Sequence, residues 1–203
     1  MAAGKKVPPS KTKAGSRRSP ARRPPLDLAG IVAEYIAEVR PAACERLAFY
    51  ATQQSLADAL EVVARWRGLD GDCEPHQRWL SPTAKAAAAD AIRGLALKDA
   101  QTFLEVYRRV VEALGMIRGI GPRTLYDVAF RLGAVLGLPP ERVYLHQGSL
   151  VGAELLGIQT LERSLPLSAF PAELRRLHAW EIENFLCVMR DALSKLGSPA
   201  KCA

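Results

Sequence analysis

The residues best suited to chemistry lie in the run Ile117-Arg118-Gly119-Ile120-Gly121-Pro122-Arg123-Thr124. Gly119 can take the left-handed backbone conformation that ends a helix, because it has no Cβ to clash. Ile120 can turn inward and pin the turn to a core. Gly121 leaves the backbone open to close approach by a partner. Pro122 has no N–H to lose and a φ already suited to the first turn of a helix. The amides around Gly121, Arg123 and Thr124 then point outward from a helix N-terminus, where the dipole favours an anion. Arg123 adds a charge, Thr124 a hydroxyl, and Arg118 a second cation beside them. Phosphate is the natural occupant; a purely structural turn and a protein-contact hairpin are the alternatives.

Other residues invite weaker readings. His146 is either a phosphate contact or general base beside Gln147 and Ser149, or a cap for the helix that follows. Cys73 and His76 have a spacing zinc could use, but no second ligand pair accompanies them, so no transition-metal site is expected. His76, Arg78 and Trp79 place cations beside an aromatic and form a second candidate nucleic-acid surface. The alternative is that Trp79, next to Leu80, plugs a core. Asp127 is expected to be a salt-bridge or capping partner. No G-x-x-x-x-G-K-[ST] or G-x-G-x-x-G run exists, so nucleotide hydrolysis and dinucleotide binding have no support, and no small-molecule substrate is evident.

These residues must be held by helices. Leu28, Ile31, Val32, Tyr35, Ile36 and Val39 recur at three and four residues, which predicts a helix ending near Pro41. Ser55 with Asp58 marks a helix start, and Pro82 suits the first turn of an alanine-rich helix running to Leu95. Phe103, Leu104, Tyr107, Val110, Val111 and Leu114 precede the glycine turn; Leu125, Val128, Ala129, Leu132 and Val135 follow it. Ile182 to Leu196 reads as one long final helix. Only Arg142-Val143-Tyr144-Leu145-His146 resembles a strand, and it is short.

Charge is unevenly spread. Lys5, Lys6, Lys11, Lys13, Arg17, Arg18, Arg22 and Arg23 give residues 1–25 a charge of +8, so a chain of +7 carries about −1 elsewhere. Rich in Pro and Ser and poor in apolar residues, this segment is expected to be a disordered arm that attracts polyanions. The folded domain is placed at 26–197, with a short tail at 198–203. The four cysteines are scattered, the N-terminus has no signal-peptide core, and no apolar run would span a bilayer. A cytoplasmic protein without membrane contact is expected.

At Ile117, Gly119, Ile120, Gly121 and Thr124 the chain resembles the helix-hairpin-helix motif of DNA-binding proteins, apolar-x-G-[IV]-G-x-x-[TS]-A, with Leu125 where alanine is frequent. The resemblance covers about residues 102–136. It implies an all-α fold, a multi-helix orthogonal bundle with one such motif, that binds DNA backbone without sequence preference. It also implies that carbonyls of Gly115, Ile117 and Ile120 could hold a structural K⁺ or Na⁺; no other cofactor is expected. Some hairpin proteins are base-excision glycosylases, with a V-D-T-H run about twenty residues on. Here Val143-Tyr144-Leu145-His146 stands there, and a neutral phenol replaces the carboxylate. The hairpin also lacks a lysine nucleophile. A non-enzymatic DNA-binding protein is therefore expected, with a protein-interaction module and a glycosylase-like enzyme as alternatives. The blocks "PHQRWL", "VYLHQGSLVGAELLG" and "EIENFLCVMRDAL" also resemble a group of bacterial proteins built around this hairpin. That likeness implies a bacterial cytosolic setting, nucleoid association included, and leaves room for a protein partner.

Overall fold

The computed structural model describes residues 27–71 and 75–196. The arm cations from Lys5 to Arg23, Cys73, the side chain of His76 and the 198–203 tail lie outside the described residues. The rest is mostly helical, as the apolar spacing predicts. The elements are α1 (Leu28–Glu34), α2 (Arg40–Ala51), α3 (Leu56–Ala64), α4 (Pro82–Arg93), α5 (Phe103–Leu114), α6 (Pro122–Leu136), α7 (Gln147–Leu155), α8 (Ala179–Val188) and α9 (Arg190–Leu193). One small sheet pairs β1 (Val143–Tyr144) antiparallel with β2 (Ser164–Leu165), in the register Val143 to Leu165 and Tyr144 to Ser164.

Helix starts follow local chemistry. Ser55 Oγ accepts the Asp58 amide at 3.2 Å, Ser81 Oγ the Ala84 amide at 3.1 Å, and Thr102 Oγ1 the Glu105 amide at 3.2 Å. Asp99, just before the start of α5, pairs with Arg109 across 2.6 Å. The helix expected to end near Pro41 does not end. The proline removes one amide donor, and the turn Tyr35–Val39 widens into a π-helix in which Arg40 N–H donates to Tyr35 O, so the chain runs on into α2. The expected long final helix is broken at Met189, where Arg190 Nε takes the Cys187 carbonyl at 2.9 Å and closes α8.

Two apolar cores result. The first gathers α3, α4, α5 and α6 around Val63, Ile92, Phe103, Val106, Val110 and Leu132. The second gathers α1, α7, α8 and β1 around Ile31, Tyr35, Phe170, Ile182, Phe185 and Leu186. Helix α6 packs on α2, α3 and α5, while β1 packs on α8. The seam between the cores is thus walled by α2, α6, α8 and the chain entering α7.

Candidate phosphate site and adjoining cavity

The hairpin has the left-handed glycine and the proline-led helix start that its sequence predicts, but Gly119 does not end α5: Gly115 is the C-cap, and Gly119 sits in the turn that follows. Helix α5 ends at Leu114, and the Ile117 and Ile120 amides donate to Leu114 O and Ile117 O, each at 3.0 Å. Gly119 has φ +96°. Ile120 is buried in the first core. Gly121 then stands as N-cap of α6 with φ −105° and ψ 174°, Pro122 occupies the first turn, and Leu125 N–H returns to Gly121 O at 3.1 Å. Among the described residues, no acceptor takes the amides of Gly121, Arg123 or Thr124. Nothing lies within 4 Å of the point where a Gly121 Cβ would stand.

Arg118 and Arg123 are exposed on either side of this helix start. Thr124 is buried, so of the last pair it is the arginine side chain that meets solvent. Ile117 O accepts from the Ile120 amide at 3.0 Å. No group of three or more His, Cys, Asp or Glu side chains is placed to hold a metal among the described residues.

Behind Arg123 opens a cavity of about 130 Å³, walled by α2, α6 and α8 and reached by His146. Tyr126, Phe130 and Trp180 supply its aromatic surface; Arg46, Arg123, Asp127, Asn184 and Glu183 supply its polar groups. His146 Nε2 lies 2.5 Å from Glu183 Oε1, and both side chains are nine-tenths or more buried. Burial pushes the Glu183 carboxyl above the usual glutamate range, and the imidazole bond partly opposes that rise. Among the described residues, the enclosed Tyr126 hydroxyl has no hydrogen-bond partner. Burial also raises Tyr126 well above its ordinary value, so its hydroxyl is a donor at neutral pH. The Cys187 thiol, pushed up by burial, is not a ready nucleophile.

The capping reading of His146 holds, since it is the N-cap of α7 in a capping box with Ser149, whereas the phosphate-contact reading does not. Its backbone N–H does donate to Ser149 Oγ at 3.0 Å at the start of α7, but its ring is 4 % exposed and pairs with Glu183 rather than reaching a surface phosphate. Glu183 was not legible as a site residue. One signal was available: Glu181 and Glu183 alternate with Ile182 on an apolar helix, and a carboxylate on such a face requires a partner. Glu181 finds Arg40 at 2.5 Å and the His178 amide at 2.8 Å. Glu183 finds His146. The α8 scaffold is steadied by Tyr35, whose hydroxyl donates to Asn184 Oδ1 at 3.1 Å.

Tyr144, at the position the glycosylase layout gives to aspartate, packs against Tyr107 at 4.9 Å, Phe103 at 5.1 Å and Tyr126 at 5.5 Å between ring centroids. Burial holds its phenol protonated. Asp127 borders the cavity and is engaged by a neighbour. Arg78 is exposed, and so is Trp79, at 89 % of its surface; the tryptophan does not plug the core. No helix among the described residues is long and apolar enough to cross a membrane. Comparison with protein-family models, curated proteins and solved structures yields no match to this chain.

Proposed function

We propose that this protein binds DNA backbone without sequence preference through the start of α6. The unengaged amides of Gly121, Arg123 and Thr124 receive phosphate oxygens, and Arg118 and Arg123 neutralise charge. The observation that carries this reading is the set of amides without an internal acceptor at an open helix start. Hydrogen bonds to a charged oxygen are worth about 1.5–3 kcal/mol each, enough for two or three to fix the register of a strand. The basic arm from Lys5 to Arg23 supplies longer-range attraction. A K⁺ or Na⁺ on the carbonyls of Gly115, Ile117 and Ile120 would add a bridge to phosphate. The setting proposed is a bacterial cytoplasm.

Salt dependence tests this directly. Each neutralised phosphate contributes about −0.9 to the slope of log K against log salt. With the full chain on a labelled duplex, Arg118→Ala with Arg123→Ala should make that slope shallower by about 1.8. An unchanged slope assigns all binding to the arm and leaves the domain to the protein-interaction reading, which its near-neutral charge favours.

The buried His146–Glu183 pair, with the unpartnered Tyr126 hydroxyl, supports the glycosylase-like reading as a second one. A paired imidazole and carboxylate in a cavity beside a phosphate grip could handle a proton at an extruded base. Release of free base from a lesion-bearing duplex, lost on Glu183→Gln, is its test. A blank across a lesion panel retires it.

A further inference from the structure

Trp79 is the largest apolar side chain in the protein type for type, yet 89 % of it faces solvent. It is not on a loose loop. It ends the 3₁₀ turn Pro75–Trp79, between Gln77, fully buried, and Leu80, which packs against the first core. Leu80 N–H donates to Gln77 O at 3.2 Å, and two residues on Ser81 caps α4. Both neighbours are pinned inward, so the indole is held outward. The other two tryptophans, Trp66 and Trp180, are buried.

Trp79 lines a groove of about 530 Å³ together with Ile117, Arg118 and Gly119 of the hairpin. Ser81 and Thr83 also line it. An exposed aromatic side chain thus shares a groove with an arginine of the hairpin that leads into α6. Every nucleobase offers a π face when unstacked, and none does so inside a duplex. We infer that this groove takes an unpaired base of single-stranded DNA, stacked on Trp79 while the adjoining phosphate lies against Arg118. The charge complementarity between Arg118, Arg123 and a phosphodiester chain selects nucleic acid over an apolar peptide. The inference rests on the phosphate reading of the hairpin and adds to it a preference for unpaired strand.

The test uses the full chain with oligo(dT) and with a blunt duplex of equal length. Trp79 dominates quenching by acrylamide, because the other indoles are shielded. Saturating oligo(dT) should protect it from acrylamide, whereas the duplex should not. Trp79→Ala should weaken oligo(dT) binding about 5- to 150-fold, the range that loss of one base stack gives, and change duplex binding less than twofold. Trp79→Phe should recover most of the lost affinity. Equal oligo(dT) binding by wild type and Trp79→Ala, or unaltered acrylamide access in the saturated complex, overturns the inference. The two readings fail separately. Failure of the hairpin alone leaves Trp79 protected while Arg118→Ala with Arg123→Ala has no effect on salt slope; failure of the stack alone leaves that slope effect intact.

Discussion

Gly121→Ala separates a glycine kept for the turn from a glycine kept for a partner. Its φ of −105° is ordinary for any L-residue, and an added Cβ meets nothing within 4 Å. Alanine stiffens the unfolded chain, which favours folding by about 0.4–1 kcal/mol. Alanine is also a poorer N-cap than glycine by a comparable amount, of order 0.5–1 kcal/mol. These effects offset one another, so the melting temperature should move by no more than about 2–4 °C. Binding should behave differently. The methyl would occupy the open space at the helix start that a phosphate oxygen must cross, and is expected to remove at least one charge-assisted hydrogen bond worth about 1.5–3 kcal/mol. Affinity for a labelled duplex, read by fluorescence anisotropy at about 50 mM salt, should fall about 10- to 150-fold. Full affinity in a variant with unchanged melting would refute the reasoning, since it would show that nothing docks against that backbone. Gly119→Ala is the contrast. At φ +96° alanine is strained, and this variant should lose about 1–2 kcal/mol of stability whatever it binds.

Two other changes probe the seam and its surroundings. Glu183 has its folded-state pKa raised by burial, so the folded protein holds that proton more tightly than the unfolded chain. The stability this contributes is fully present below the unfolded value near 4.5 and is lost as pH rises through the raised folded value. Subtracting the melting profile of Glu183→Gln from that of wild type should therefore leave a difference that declines with pH across that window; a flat difference contradicts the buried-acid assignment. Gly152→Ala tests the packing of α7 on α8, because its Cβ would fall 2.1 Å from the Leu186 carbonyl oxygen. Backbone cannot yield as a side-chain tip does, so the cost should reach about 3 kcal/mol, a drop of about 6–12 °C in melting temperature. A melting point within 2 °C of wild type would show that the two helices are not in close contact.

What the sequence revealed depended on how local the cause was. The N-caps at Ser55 and Gly121, the first-turn prolines Pro82 and Pro122 and the inward Ile120 are each set within a few residues, and each reads directly from the chain. Pro41 misled because a proline's missing donor can be absorbed by a π turn as well as by a helix end. The residues at either end of that turn have partners far along the chain, Arg40 with Glu181 and Tyr35 with Asn184, which local spacing does not reveal. At the break at Met189 the Arg190 side chain donates to the Cys187 carbonyl, a pairing that no spacing rule encodes. The same holds for the cavity. His146 and Glu183 meet only because β1 delivers one beside the α8 that carries the other. Trp79 faces outward because Gln77 and Leu80 face inward, an outcome of packing rather than of pattern.

On the proposed function, main-chain hydrogens at the start of α6 meet phosphate oxygens. This is tested most directly by amide NMR on the ¹⁵N-labelled full chain during titration with duplex DNA. The account predicts downfield shifts and slowed exchange concentrated at the Gly121, Arg123 and Thr124 amides, saturating with the binding isotherm. Shifts confined to residues 1–25, with those three amides unmoved at saturation, would contradict it.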